Sequence, residues 1–274
     1  MKGDHVMKKD SRMDIVERRS YQVVKANQII QQARYDLTLK ELKLLGYLIS
    51  QVKPNDAPGK FYALSIKEYC AVRGIDSSGK NYDAVKKGLK ALRDKSFWLQ
   101  REDGSEVTVG WLGKAEINRG SGKIRVQFDS DLQKYITVLQ GNYTQYELLA
   151  TLPMKSAYSI RLYELLKSYS FNHKEVTITI DELKEKAGCG GLYSEYRDLR
   201  RKVIEVAIKE INLYTDLEVS YEKICTGKTV TKLVFYLDKK DIDGRLLSYA
   251  NAEKELDAIP GQMTLFDYDV QNRS

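Results

Sequence analysis

The chain has 274 residues, 42% hydrophobic and 30% charged, the balance of a globular protein with material for one large core or two ordinary ones. No apolar run approaches the roughly 18 residues that span a bilayer, the charged opening MKGDHVMKKDSRMDIVERRS lacks an apolar export segment, and three scattered cysteines without a CxxC pair argue against a zinc site or a disulfide framework. The expectation is a cytoplasmic protein off the membrane; its net charge of +7, about +10 once the acidic residues 247–274 are set aside, asks for an acidic partner, most often nucleic acid.

In chain order, residues 1–20 are charged and read as a flexible tail. LTLKELKLLGYLISQV (37–52) has the period of an amphipathic helix. FYALSIKEYCAVRGI (61–75) reads as a short strand, then Ser65 with Glu68 as a capping box, then a helix. GIDSSGKN (74–81) has the G-x-x-x-x-G-K spacing of a phosphate-binding loop. It follows a helix rather than a strand, however, and Asn81 stands where a magnesium-binding hydroxyl is needed, so it reads as a turn. KNYDAVKKGLKALRDKSFW (80–98) continues as a helix of about four turns. EVTVGWLGKAEI and KIRVQF then form a hairpin around NRGSG.

The second part repeats the first. MKSAYSIRLYELLKSYS (154–170) is an amphipathic helix, and EVTITIDELKEKAGC (175–189) matches FYALSIKEYCAVRGI with Thr179 and Glu182 in the capping positions. The offset of 114 carries Tyr82 onto Tyr196, Val85 onto Leu199 and Leu89 onto Val203. LEVSYEKI and TKLVFYL close the unit as a hairpin around CTGKTV. Helix, strand, helix, helix, hairpin is the order of a winged helix. The predicted fold is α+β: two tandem winged-helix domains (helix-turn-helix plus β-hairpin wing) related by an internal repeat, at 21–142 and 143–245.

The third helix of such a unit enters the DNA major groove. Around Tyr196–Ile211, Leu199, Val203, Val206 and Ala207 share one side and Asp198, Arg201, Lys202, Glu205 and Lys209 the other. Arg201 and Lys202 suit guanine or phosphate and Asp198 suits cytosine N4; Arg197 and Arg200 add charge on the same helix. The offset places Ala84, Lys87, Gly88 and Ala91 at the corresponding positions of the first half, a small and nearly apolar face expected to read few bases. There Lys80, Lys86 and Lys87 suit backbone contact. Arg119 and Lys123 on the first wing, and Lys223, Lys228 and Lys232 on the second, suit phosphates or the minor groove.

YTQYELLATLPMKSAYSIRLYELLKSYS (143–170), YRDLRRKVIEVAIKEIN (196–212) and VVKANQIIQQARYDLTLKELKLLGYLI (23–49) together resemble the replication initiator (Rep) proteins of theta-replicating plasmids. The resemblance covers roughly residues 21–240. It implies monomers on directly repeated iterons of double-stranded origin DNA, and dimers formed through the first domain that repress the initiator's own gene at an operator inverted repeat. It also implies contacts with a host initiator and helicase, and base reading mainly by the second domain. A plain transcriptional repressor is the alternative. A nicking enzyme is disfavoured, because His5 and His173 cannot form a His-hydrophobe-His metal pair; no catalytic group, metal or cofactor is expected.

After Arg245 the pattern loosens into an acidic tail, 246–274, with Pro260-Gly261 breaking any helix. Within it Gln262, Met263, Leu265 and Phe266 resemble the short peptide that docks on the bacterial sliding clamp. The aliphatic and aromatic residues would fill a pocket and the glutamine would orient them; the alternative is a tail folded back on the body.

Overall fold

A computed structural model describes residues 14–101, 103–118, 123–137 and 141–257. The first half begins with α1 (residues 14–19), β1 (Gln22–Ala26) and α2 (Asn27–Gln32). Its helix-turn-helix follows as α3 (Leu39–Ile49), β2 (Phe61–Leu64), α4 (Ile66–Val72) and α5 (Gly79–Asp94). Thr38 and Glu41 close a reciprocal capping box on α3. At α4 only half of the expected box forms. The Ser65 hydroxyl accepts from the Glu68 amide, while the Glu68 carboxylate accepts from Tyr47 and pairs with Arg18.

The helix expected over 80–98 stops at Asp94. Ser96–Gln100 is instead strand β3, because Phe97 and Leu99 are buried between exposed Ser96, Trp98 and Gln100, the period of two that a strand requires. EVTVGWLGKAEI is also not one strand. Buried Trp111 marks a corner between β4 (Glu106–Gly110), which pairs with β3, and β5 (Leu112–Ile117), which pairs with β6 (Ile124–Phe128). The first wing is therefore β5–β6 in a β2–β6–β5 sheet, with β3–β4 as a separate pair. Helix α6 (Ser130–Thr137) closes the half.

The second half runs β7 (Tyr143–Glu147), a 3-10 turn, α7 (Ala157–Tyr169), β8 (Glu175–Thr179) and α8 (Ile180–Ala187). Its third helix is continuous but composite: α9 (Tyr196–Leu199), a π segment at Arg200–Ile204, and α10 (Glu205–Tyr214). The wing, β9 (Leu217–Thr226) with β10 (Thr229–Lys239), lies in a β8–β10–β9 sheet. The fold is thus two tandem winged helices.

β7 pairs antiparallel along the whole of β1, so the halves share a ladder. Helix α7, which carries the signature run, is buried almost throughout and packs against α2, α3, α8 and α10. Its polar residues are satisfied inside. Arg161 donates to the carbonyls of Lys186 and Tyr35, and Glu164 pairs with Lys25 at 2.6 Å.

Residues 14–20 and 246–257, both set aside as tail in the sequence, are packed against the body. Arg19, in the stretch expected to be flexible, is 3% exposed. The pattern does not loosen after Arg245: α11 (Ile242–Asp257) is a 16-residue helix with Ser248, Ala252 and Leu256, spaced by four, buried along one side. The buried stripe is narrow, and α11 is exposed over most of its first two turns, which is why the segment reads as an acidic tail in sequence.

One buried cation lacks full compensation for the water it has lost. Lys43 on α3 is 6% exposed, and burial, with Arg73 adding to it, pushes its ammonium down to about 7 from 10.5. Glu210 opposes the shift and Lys155 reinforces it. The unfolded chain therefore binds more protons between about pH 7 and 10.5, and stability rises with pH across that window. Lys43→Met is expected to raise unfolding free energy by roughly 1–3 kcal/mol at pH 7. Denaturant melts at pH 7 and 10 should show the gain shrinking at the higher pH.

Candidate nucleic-acid interface

Leu199, Val203, Ile204, Ala207 and Ile211 are buried and hold the composite helix in the second half. Opposite them Arg197, Arg200, Arg201, Lys202, Glu205 and Lys209 are exposed and Asp198 half-buried, the division expected from the sequence. The charges are not idle. Asp198 lies 3.3 Å from Arg201 and 3.5 Å from Lys202, and Arg200 pairs with Glu205 at 2.9 Å. The Lys202 ammonium also sits 5.5 Å from the Tyr193 ring centre. Tyr193 holds a left-handed backbone at φ 56°, uncommon for a bulky residue and costly unless its surroundings fix it. Its ring packs edge-on to Tyr158 of α7.

Beside the helix stands the wing. Gly227 and Lys228 are its two turn residues, with Gly227 at φ 62°, so Lys228 is the tip. Lys223 and Lys232 are exposed on the two strands, Lys232 next to the β-bulge. Tyr196, Arg200, Tyr221, Glu222 and Lys223 line a concavity of about 430 Å³ between helix and wing. The groove thus has Arg200 of the helix on one side and Lys223 of the wing on the other, with Glu222 between.

The first half differs from expectation. Gly88 does not belong to an open face: a Cβ there would stand 3.0 Å from Leu44 of α3, so glycine lets the two helices close up. Ala84 and Ala91 are half-buried with it. The exposed side of α5 is basic, with Lys80, Lys86 and Lys87 joined by Lys90 and Arg93, among Asp83 and Asp94. The π segment explains the error. Buried Val203 and Ile204 stand where α5 has only Leu89, and Leu92 then corresponds to Ala207, an offset of 115 instead of 114. Arg201 and Lys202 precede the extra residue and still fall on exposed Lys87 and half-buried Gly88, whereas Glu205, past it, falls on exposed Lys90 and not on Ala91. Lys90 and Arg93 were missed because the constant offset set them against Ile204 and Ala207, both buried.

GIDSSGKN is the turn of the first helix-turn-helix. The Asp76 carboxylate accepts from the Ser78 amide at 2.9 Å, and Asn81 donates back to the Asp76 carbonyl at 2.8 Å. On the first wing Lys123 is exposed, and its carbonyl accepts from the Asn118 amide. Exposed Arg125, over the Phe61 ring, is a basic residue of that wing the sequence reading passed over. Arg119 lies outside the described residues, as do Gln262, Met263, Leu265 and Phe266. Among the described residues no helix is long and apolar enough to cross a membrane, and no three His, Cys, Asp or Glu residues gather to hold a metal.

Residues 22–167 match the family described as initiator replication protein, WH1, and residues 179–237 match initiator Rep protein, WH2. The chain belongs to this family of replication initiators. It is 24% identical over 226 residues to an Escherichia coli replication initiation protein, covering 79% of this chain and 69% of that one. It is 29% identical over 224 residues to the PI protein of Escherichia coli, covering 68% and 72%. The fold matches the crystal structure of Pi initiator protein in complex with iteron DNA at a TM-score of 0.65 and 21% identity, over 81% of this chain and 99% of the other.

In the initiator's second half the charged helix face contributes little to folding, since exposed pairs of this kind are worth about 0–1 kcal/mol. Asp198→Ala is expected to change the unfolding free energy by less than about 1 kcal/mol, measured by urea titration.

Proposed function

We propose that the chain initiates plasmid replication by binding directly repeated iterons in double-stranded origin DNA. Both helix-turn-helix units face the duplex, and the same protein represses its own gene as a dimer. The observation that carries this is that the third helix of each unit presents an exposed basic face, with Lys86, Lys87 and Lys90 in one half and Arg201 and Lys202 in the other. The Pi initiator, bound to iteron DNA in its crystal structure, has the same fold. In this reading Arg201, Lys202 and Asp198 face base edges, because they sit on the helix that a helix-turn-helix lays in the major groove. Lys223, Lys228 and Lys232 hold phosphates beside it. The first half adds Lys80, Lys86, Lys87, Lys90 and Arg93 as a second backbone clamp. The role is binding rather than catalysis. Gln262, Met263, Leu265 and Phe266 serve as a sliding-clamp docking peptide.

Nuclease footprinting of the full chain on its own gene and flanking DNA, at physiological salt, tests the reading. Protection of several direct repeats is expected; protection of a single inverted repeat over the promoter would favour a repressor without a replication role. Variants divide the contacts further. Arg201→Ala should cost roughly 1–3 kcal/mol and relax specificity at one base position. Lys228→Ala should weaken all sequences alike and make the salt slope shallower by about 1. Equal losses on specific and random DNA for both variants would remove the assigned roles.

A further inference from the structure

Helix α11 spans the molecule from the base of the second wing to the turn of the first helix-turn-helix. At its start Lys240 donates to the Ser248 hydroxyl at 2.8 Å and to the Asn212 carbonyl of α10, and Tyr249 is hydrogen-bonded to Glu147. Near its end Glu255 pairs with Lys155 at 2.6 Å. At its far end it meets α4. Arg19 sits between the two helices with its guanidinium divided among them. Nε donates to the Val72 carbonyl at 2.8 Å, Nη2 to the Ala71 carbonyl at 3.4 Å, and Nη1 pairs with Glu253 and stands 3.6 Å from Asp257. One buried cation thus caps the Val72 carbonyl at the end of α4, shares the Ala71 carbonyl with the Gly74 amide, and meets two carboxylates of α11.

A glycine two residues beyond Val72 completes the fit. Gly74 has φ +63°, and a Cβ on it would stand 2.2 Å from the Leu256 carbonyl oxygen. No other residue type allows α11 to close on the turn. The turn leads directly into α5, so whatever holds the end of α4 also sets where the basic face of α5 points. α11 also packs along α10, part of the other basic helix, with Lys240 donating to the Asn212 carbonyl before its first turn and Tyr214 hydrogen-bonded to Glu255 in its last.

We propose that Arg19, Gly74 and α11 form a brace that fixes the separation of the two basic helices, and so the spacing between the DNA segments the two halves engage. Arg19 is a positioning residue: it lies in the core and acts through α4 and α11. The proposal rests on the reading of both helix faces as DNA-binding. It places a determinant of site spacing outside both winged helices, in two segments the sequence had set aside as tails.

The full chain is first used to select duplexes from a random-sequence pool, and one or two base pairs are then inserted between the two protected segments. A single insertion displaces and rotates one segment against the other, and the unaltered chain is expected to lose about tenfold or more in affinity. Arg19→Ala is expected to bind the parent site more weakly yet lose less than about threefold on insertion. Glu253→Gln with Asp257→Asn, which keeps every side-chain volume, guards against simple misfolding and should behave alike. A second readout needs no DNA. Cys225 is exposed while Cys70 and Cys189 are buried, so spin labels on Cys225 and on Lys87→Cys report the distance between the halves. One narrow distance distribution is expected, broadening in both brace variants. Wild-type discrimination against insertions together with an unbroadened distribution would overturn the brace. If the unaltered chain selects no sequence, the DNA reading itself fails, and the distance distributions alone decide whether the brace exists.

Discussion

The structure depends on a carboxylate that should not be where it is. Glu164 on α7 has a side chain 2% exposed, and an uncompensated charge at such depth costs several kcal/mol. Its compensation comes from Lys25 on β1 and from the Tyr146 hydroxyl on β7. These two strands are the ladder that unites the halves, so the demand of one buried charge is met only when the halves are joined. Arg161, one turn earlier on α7, repeats the logic, lying 3.9 Å over the Tyr35 ring and donating to Tyr35 and Lys186. Tyr163 adds a third tie, to Asp216 at the base of the second wing. The polar residues of the run SIRLYELL therefore find their partners inside the fold.

This arrangement separates two kinds of charge. Those in the seam have fixed partners and strict geometry, which gives direction rather than net stability. Those on α5, the composite helix and the second wing lie in water with weak and replaceable partners. Asp198 holding Arg201 and Lys202 keeps their side chains extended along the helix without committing them, and a phosphate or a base edge could take its place at little cost.

Much of this was legible in the sequence because it rests on periodicity. The repeat, the two amphipathic helices of each unit, the second wing and the division of the composite helix into apolar and charged sides all follow from spacing. What was hidden depends on contacts between distant segments. Arg19 reads as one charge among many until its partners at Ala71, Val72, Glu253 and Asp257 are known. Trp98 looked like the last residue of a helix because the switch to a period of two occupies only five residues. Gly88 looked like part of an open face because nothing local announces that Leu44 lies against it.

The π segment has a further consequence, for how two copies of one unit drift apart. One residue added to a helix turns everything beyond it by about 100° relative to the sequence before it, which ordinarily throws the apolar stripe off the core. Here the widened turn absorbs the extra residue, and both Val203 and Ile204 stay inside. The two copies therefore keep interchangeable cores while running out of phase in sequence past residue 204. A comparison that pairs the halves residue by residue without a gap will score the buried positions as mismatched and the outward ones as unrelated. The place to open the gap is fixed by the backbone, between Arg200 and Ile204.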